Sequence, residues 1–153
     1  YGSWRAMEEL YRAGRVRAIG VSNFLPHHLE NLLEVCTVPP MVDQIEFHPG
    51  YVQWETVEFC RASQILVEAW SPLGRQRLAD DPLLAELAGK YGVSQAQICL
   101  RFALDCGVVP LPKSADAGRM RQNLALDFAL EAEDLERLRT MPQTGWSGLH
   151  PDK

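Results

Sequence analysis

Apolar residues along the chain alternate between helical spacing and short continuous runs. A first helix is predicted by an apolar face that consists of Trp4, Met7, Leu10 and Tyr11. Gly14 is a suitable end for this helix, and the β-branched run VRAIGVS that follows it predicts a strand. A second helix and strand follow. Pro26 suits the first turn of this helix, and Pro39-Pro40 ends it before the strand MVDQIEF.

The same alternation continues to the end of the chain. WETVEFCRAS predicts a third helix and QILVEAW a third strand. Two consecutive helices follow, over about 82–91 and 95–106, and GVVPLP provides a fourth strand. A helix opens near Asp116, and a last one lies within EAEDLERLRTM. We therefore predict a single domain over residues 1–153, with 142–153 as a C-terminal tail or loop.

Strands that alternate with helices, and that read as apolar runs, indicate an α/β fold with a parallel sheet covered by helices. A doubly wound sheet usually has a glycine-rich turn after its first strand, but GVSNF stands there and the chain has no G-x-G-x-x-G. A (β/α)8 barrel of the TIM type instead places polar functional residues after each strand. The sequence favours the barrel.

Composition limits the classes of partner. A chain of 153 residues with 46% hydrophobic and 23% charged residues fits one globular domain, and a net charge of −5 argues against nucleic acid or an anionic membrane as a partner. The four cysteines lack metal spacing, so we expect buried free thiols and a cytoplasmic location. Because the chain begins at Tyr1 without a Met, we expect it to be cut, processed or numbered from an interior point.

Polar residues follow each predicted strand. These clusters are Ser22 and Asn23, then Gln44, Glu46 and His48, then Trp70 and Ser71, then Lys113 and Ser114. Each alone has an ordinary structural explanation: a turn and helix cap, one polar face of a strand, a core aromatic, or a solvated helix start. We expect His48, before Pro49, to orient a loop rather than to bind a metal.

The segment LPKSADAGRMRQN concentrates cations in an acidic chain. Lys113, Ser114 and Arg119 surround the start of a predicted helix, and helix N-termini attract anions through free N–H groups. A phosphate site is therefore predicted here. Arg121 is two positions from Arg119 and is expected to be solvated.

Taken together, IGVSNF, QIEFHP, AWSPLG and PLPKS resemble, in order and approximate spacing, the cofactor-binding motifs of the aldo-keto reductases. The resemblance covers essentially the whole chain. The ending GWSGLHPDK and the Trp of AWSPLG are most similar to the bacterial branch that contains the 2,5-diketo-D-gluconate reductases. The resemblance implies that this chain corresponds to about the last four β/α units of the barrel, a half barrel.

The resemblance also implies a role in NADPH binding for eleven residues. Ser22, Asn23 and Gln44 would bind the nicotinamide carboxamide, and Trp70 would stack on the ring. The remaining residues would bind the diphosphate (Ser71, Leu73, Gly74), the 2′-phosphate (Lys113, Ser114, Arg119) and the adenine (Asn123). Two residues depart from the family pattern: Gln122 stands where Glu is common near the adenine, and Glu131 where Thr often caps a helix.

Catalysis in the family is expected to be hydride transfer from the nicotinamide to a carbonyl carbon, with a Tyr, helped by Lys, Asp and His, as the proton donor. No tyrosine of this chain lies in a matching motif; the four are Tyr1, Tyr11, Tyr51 and Tyr91. We therefore expect the catalytic residues to lie upstream and the isolated chain to be nearly inactive. A half barrel would expose strand edges, which predicts a homodimer or pairing with the missing half.

Three functions remain open at this stage. The first is an NADPH-dependent reductase of aldehydes or ketones, including keto-sugars, with this chain as its cofactor-binding half. The second is a non-catalytic nucleotide-binding or assembly module with the same fold. The third is an unrelated barrel that binds a substrate phosphate at PKS, which would leave Ser22, Asn23, Gln44 and Trp70 without a common purpose.

Overall fold

The structure, a computed structural model, describes residues 1–152, so the last residue of the predicted tail lies outside it. The helices are α1 (Gly2–Arg12), α2 (Pro26–Leu33), α3 (Trp54–Ala62), α4 (Pro82–Tyr91), α5 (Gln95–Asp105), α6 (Ala117–Leu124) and α7 (Ala132–Arg139). The strands are β1 (Gly20–Ser22), β2 (Val42–Glu46), β3 (Leu66–Trp70) and β4 (Val109–Pro110). A single 3-10 turn, Gly74–Gln76, follows β3 within the described residues.

The sheet is parallel, and its strand order follows the chain order, β1-β2-β3-β4. A doubly wound sheet reverses its strand order at a switch point, whereas a barrel winds in one direction. Within the described residues, the four strands show no such reversal. The register places Ser22 beside Gln44 and Gln44 beside Glu68, so polar residues of neighbouring strands form a row across the sheet.

Helices cover one face of this sheet. Ile45, Val67 and Ala69 point into the core, while Leu66 on the other face is 47% exposed. Burial thus alternates along β3 and along β2 as far as Ile45, after which Glu46 is buried as well, although the two sequences read as apolar runs. Apolar composition predicted the strands correctly but did not distinguish a strand covered on both faces from one covered on a single face.

The core lies between the sheet and the helices. Phe47 and Phe102 stack there with ring centroids 5.7 Å apart. All four cysteines are free, and Cys60, Cys99 and Cys106 are buried as predicted, whereas Cys36 is partly exposed. Burial raises the pKa of the Cys60 and Cys99 thiols to about 12, which keeps them protonated and unreactive.

Strand β4 is shorter than the sequence run GVVPLP predicted. Only Val109 and Pro110 pair with β3. Pro110 and Pro112 have no backbone N–H, so the ladder cannot extend far through this segment. The chain leaves the sheet at once and enters the cationic segment before α6.

The ends of α4 and α7 are joined by one charged network. Asp134 accepts hydrogen bonds from Lys90 Nζ (2.6 Å) and Tyr91 Oη (2.6 Å), and Glu131 accepts from Lys90 at 2.8 Å. Glu131 occupies the N-cap position of α7 without capping it through its side chain. Among residues 1–152, none of the helices combines the length and apolar character needed to cross a membrane.

Candidate functional site

Hydrogen bonds join the polar residues at the carboxyl ends of β1, β2 and β3. Ser22 Oγ donates to the Gln44 carbonyl oxygen (3.0 Å), and Trp70 Nε1 donates to Asn23 Oδ1 (2.7 Å). Gln44 Nε2 donates to Glu68 Oε2 at 3.0 Å. The structure thus brings four predicted site residues into one cluster. We call Ser22, Asn23, Gln44 and Trp70 the strand-end cluster.

A buried carboxyl group lies next to this cluster in the sequence and in the fold. Asp43 is fully buried, its Oδ1 lies 3.4 Å from the Phe24 N–H, and Cys60 Sγ lies 4.0 Å from its Oδ2. Burial raises the pKa of Asp43 to about 7, against a smaller lowering by the Phe24 N–H. Asn23, which precedes Phe24, has φ 57°, a left-handed conformation that Asn tolerates better than most residues.

The segment after β3, residues 71–76, has an unusual backbone. Ser71, Arg75 and Gln76 have φ of 50°, 50° and 69°, and Gly74 has φ 60°. A Cβ on Gly74 would lie 2.7 Å from Leu78 Cγ, so both conformation and space require glycine there. Left-handed conformations at the other three residues cost about 1–3 kcal/mol each and concentrate at ligand-binding sites.

This segment and the cationic segment share one cavity of about 540 Å³. Six of the predicted site residues line it: Ser71, Leu73, Lys113, Ser114, Arg119 and Asn123. Gln122 lines it as well, whereas Gly74 lies behind the lining and packs against Leu78. The cavity therefore connects the loop that follows Trp70 with the predicted phosphate site, which are about forty positions apart in sequence.

Two cations of this cavity are unpaired. Lys113 and Arg119 are exposed, and their side chains form neither a hydrogen bond nor a salt bridge within the part of the chain that the structure describes. Asp116 caps α6 and accepts the backbone N–H of Arg119 at 2.7 Å, so this N–H is not free for an anion. Anion binding here must therefore rely more on the two side chains than the helix-terminus prediction assumed.

The tail lies across the end of β2. Ser147 donates its N–H and its hydroxyl to the two carboxylate oxygens of Glu46, at 3.1 and 2.6 Å. Trp146 stacks on Tyr51, with ring centroids 5.8 Å apart. His48 Nδ1 lies 2.8 Å from the Pro49 carbonyl oxygen, which supports its predicted role in orienting a loop.

The tail ends at two histidines of α2. Asp152 Oδ1 lies 3.1 Å from His27 Nε2 and 3.0 Å from His28 Nε2. His28 Nδ1 accepts the Leu25 N–H at 3.0 Å, so the proton of a neutral His28 is on Nε2 and is donated to Asp152. A metal would need a free lone pair on that same atom. We therefore interpret this group as a hydrogen-bonded anchor for the tail.

Comparison with known proteins identifies the family. The profile of the "Aldo/keto reductase family" matches residues 2–141. The chain belongs to the aldo/keto reductase family. It is 43% identical to the glyoxal reductase of Bacillus subtilis (strain 168) over 152 residues, which cover 99% of this chain and 55% of that protein. It is also 43% identical to the uncharacterized oxidoreductase YtbE of the same organism, over 98% of this chain and 54% of YtbE.

Solved aldo/keto reductases share the observed fold. An NADPH complex of a Gox0644 variant superposes with a TM-score of 0.93 at 37% identity, over 98% of this chain and 56% of that chain. MGS-M4, an aldo-keto reductase from a deep-sea metagenome library, gives a TM-score of 0.92 at 34% identity, over 98% of this chain and 57% of that chain. The chain thus spans about half the length of the relatives that it matches.

None of the tyrosines with a shifted pKa has the shift that a proton donor at neutral pH needs. Burial raises the pKa of Tyr51, and the negative charge of Glu46 raises it further. Burial and the hydrogen bond to Asp134 raise the pKa of Tyr91, which belongs to the network between α4 and α7. A general acid works best with a pKa lowered toward the working pH. The pKa shifts of Tyr51 and Tyr91 both run in the opposite direction.

Sequence reasoning missed three features of the strand ends and the cavity. The first is Asp43, because the segment that contains it was interpreted only as a strand. The second is Arg75, which has a left-handed backbone although it is neither glycine nor asparagine, the residues that usually indicate one. The contact between Glu46 and Ser147 joins residues 101 positions apart. A buried acidic residue inside an apolar strand was a signal that could have identified Asp43.

Proposed function

We propose that this chain binds NADPH as the cofactor-binding portion of a carbonyl reductase. The observation that carries the proposal is the cavity in which Ser71 and Leu73 meet Lys113, Ser114, Arg119 and Asn123. A dinucleotide with a 2′-phosphate needs an aromatic platform, a path for the diphosphate and a separate cationic site. The strand-end cluster, the 71–76 segment and the unpaired pair Lys113 and Arg119 have the chemistry for these three functions.

The residues present fit the two ends of such a cofactor. The Trp70 ring provides a flat surface, and its N–H already holds Asn23 Oδ1 in place at 2.7 Å. Gln44 and Asn23 offer the amide groups that pair with a carboxamide, as the family resemblance implies. Lys113 and Arg119 supply charge for the 2′-phosphate, Ser114 a hydroxyl and Asn123 an amide edge for the adenine.

When bound, NADPH supplies the hydride that reduces a carbonyl group. The part of this chain would be to fix the nicotinamide with the strand-end cluster and to hold the phosphates with the cations of the cavity. Orientation of this kind accounts for a large share of catalysis because it removes the entropy cost of bringing the reactants together. We propose no proton donor from this chain.

We further propose that the chain is the half-barrel portion of the enzyme and that its catalytic Tyr, Lys, Asp and His belong to a complementary half. Two observations support this: the relatives are nearly twice as long, and β1 and β4 are the outer strands of the sheet. The partner would pair with these strand edges and cover the face that carries Leu66. A second copy of this chain is the other candidate for that position.

The substrate class follows from the relatives and remains a proposal for this chain. Curated relatives include a glyoxal reductase and the methylglyoxal reductase DkgA of Salmonella typhimurium, the latter 38% identical. We propose small aldehydes and ketones, with keto-sugars of the 2,5-diketo-D-gluconate type as a narrower possibility. Assays of NADPH oxidation with methylglyoxal should show almost no turnover by this chain alone.

Calorimetric titration with NADPH and NADH tests the proposal directly. We expect both to bind, with NADPH tighter by about a hundredfold, because two hydrogen bonds to a charged phosphate contribute about 1.5–3 kcal/mol each. Equal affinities would remove the 2′-phosphate assignment. Binding without turnover, even after a complementary half is supplied, would instead favour the non-catalytic module.

A further inference from the structure

The face of the sheet opposite the helices is partly open to solvent. Because Ile45, Val67 and Ala69 point into the core, the residues that alternate with them along β2 and β3 lie on the other face. We call these residues the inner face: Val42, Gln44, Glu46, Leu66, Glu68 and Trp70. Leu66 is 47% exposed, so nothing among residues 1–152 covers its end of the inner face. In a closed barrel these side chains would fill the interior.

The register divides the inner face into three layers. Val42 lies beside Leu66, Gln44 beside Glu68, and Glu46 beside Trp70. The first layer is apolar, and the third lies at the strand ends where we place the cofactor. The middle layer contains Glu68, a carboxylate to which the proposed function assigns no role.

The two carboxylates of the inner face differ in how their charge is compensated. Glu46 accepts the N–H and the hydroxyl of Ser147, and His48 Nε2 lies 3.5 Å from its Oε1. Glu68 accepts one hydrogen bond, from Gln44 Nε2 at 3.0 Å, and forms no salt bridge with any of residues 1–152. Glu68 is therefore the carboxylate of the inner face whose charge this chain leaves uncompensated.

Closure of a barrel would remove Glu68 from water. Its side chain is half-buried in this chain, and the interior of a (β/α)8 barrel is filled by side chains from all of its strands. Enclosing an ionised carboxylate against one neutral amide is costly, because the lost hydration is not replaced. A cation within hydrogen-bond distance replaces it. The surface that closes the barrel therefore has to carry a positive charge at the height of Glu68.

A second copy of this chain does not supply that charge. If two copies closed a barrel about a two-fold axis, equivalent residues would lie at the same height, so one Glu68 would face the other. None of the strands β1 to β4 contains a lysine or an arginine that could lie between them. Like charges that meet in a desolvated interface oppose association.

We propose that the inner face is covered by a complementary β/α portion that carries a lysine or arginine opposite Glu68 and apolar side chains opposite Val42 and Leu66. This inference rests on the half-barrel part of the proposed function, and it decides against a second copy as the partner. Relatives contain enough additional chain to provide such a portion, since this chain matches 55% of the glyoxal reductase of Bacillus subtilis.

A charge exchange between two copies tests the inference with this chain alone. Sedimentation equilibrium at neutral pH would compare the natural chain, Glu68→Lys, and an equal mixture of the two. The natural chain and Glu68→Lys should each self-associate weakly, because each places like charges in the middle layer. The mixed pair brings Glu68 to a lysine, and its Kd should be lower than that of either self-pair by at least about tenfold.

The matched control places the same charge change outside the inner face. Glu58 lies on α3, where it is exposed. A mixture of Glu58→Lys with the natural chain should associate no more tightly than the natural chain alone. This control separates a cation that faces Glu68 from a general attraction between chains of different net charge.

A second variant keeps the test valid if Glu68→Lys does not fold. Glu68→Gln removes the charge, and its amide oxygen can still accept from Gln44 Nε2. Its self-association should be tighter than that of the natural chain by about threefold or more, because the repulsion is gone. Circular dichroism would show which variants have the fold of the natural chain.

Two results would overturn the inference. One is a stable dimer of the natural chain whose Kd is the same in Glu68→Gln, and the other is a mixed pair no tighter than the Glu58→Lys control. If either occurs while the natural chain binds NADPH, the cofactor role stands and the inference is wrong. Selective mixed pairing by a natural chain that binds no NADPH would instead support the inference and remove the cofactor role.

Discussion

The strand-end cluster and the cationic end of the cavity are organised in opposite ways. Ser22, Asn23, Gln44 and Trp70 satisfy one another or their neighbours through hydrogen bonds of 2.7–3.0 Å. Lys113 and Arg119 face the cavity without partners within the described part of the chain. The first region is fixed by its own hydrogen bonds, and the second has exposed cations that no protein group pairs within the described residues.

The difference fits the roles that we propose for the two regions. A ring that presents one face to a substrate has to be held in a fixed orientation. Hydrogen bonds among the side chains around it provide that rigidity. A phosphate is instead attracted over a distance by exposed charge and can be held by flexible side chains. Helix α6, which carries Arg119, agrees with this contrast because every one of its residues is exposed or half-buried.

Removing both free cations should produce the largest effect. In the double variant Lys113→Gln, Arg119→Gln, we expect NADPH affinity to fall at least a hundredfold, because two bonds worth about 1.5–3 kcal/mol each are lost. NADH affinity should stay within about twofold, which calorimetry can establish. Comparable losses for the two dinucleotides would contradict the assignment of these cations to the 2′-phosphate.

The buried carboxyl group below the strand-end cluster should make stability depend on pH. The pKa of Asp43 is raised to about 7 in the folded chain, so the folded state keeps a proton that the unfolded state loses near pH 4. Stability should therefore decline as pH rises from about 4 to 7 and level off above that. From pH 5 to pH 8, ionisation of this carboxyl group alone should lower the free energy of unfolding by about 2–3 kcal/mol.

Asp43→Asn isolates that contribution because Asn does not titrate. Urea unfolding should show that the stability of Asp43→Asn relative to the natural chain is more favourable at pH 8 than at pH 5 by about 2–3 kcal/mol. A difference that does not change with pH would show that Asp43 ionises normally in the fold.

Loss of the aromatic platform should have a smaller effect, and one that is equal for both cofactors. Trp70→Ala should weaken NADPH and NADH alike by about tenfold, since stacking of a base on an aromatic ring contributes about 1–3 kcal/mol. Trp70→Phe keeps a ring but not the N–H bonded to Asn23, and it should recover most of the affinity. Selective weakening of either dinucleotide would show that Trp70 does not contact the part that they share.

The tail contact should give the smallest effect. Ser147→Ala removes the hydroxyl that donates to Glu46 at 2.6 Å but keeps the N–H contact, so unfolding free energy should fall by about 1–2 kcal/mol. Ser147→Thr, which keeps the hydroxyl, is the control. Faster proteolytic cleavage within residues 142–152 of Ser147→Ala would show where the loss occurs, and unchanged stability would mean that the tail is not held through Glu46.

The order of elements could be predicted because local periodicity determines it. The helix from Pro82 ends at Tyr91 before Gly92, and that from Gln95 ends at Asp105, close to the predicted bounds, since Asp81 and Ser94 cap their first turns. The family resemblance implied that Ser71 and Arg119 bind parts of one cofactor, and the structure places both residues at the same cavity.

The remaining features depend on three-dimensional packing. One-sided coverage of β2 and β3 depends on where helices pack, and composition does not encode it. The position of the Arg75 side chain depends on a left-handed φ at a residue type that rarely adopts it. The Ser147 bonds to Glu46 join distant parts of the chain, so no local pattern announces them.

We propose that Lys113 and Arg119 hold the 2′-phosphate of NADPH. Phosphorus NMR of bound NADP⁺ across a pH series tests it most directly, because a phosphate monoester loses its second proton near about pH 6. Two neighbouring cations should lower the pKa of the bound 2′-phosphate below this value, and Arg119→Gln should return it part of the way. A bound 2′-phosphate that titrates as it does free in solution would contradict the claim.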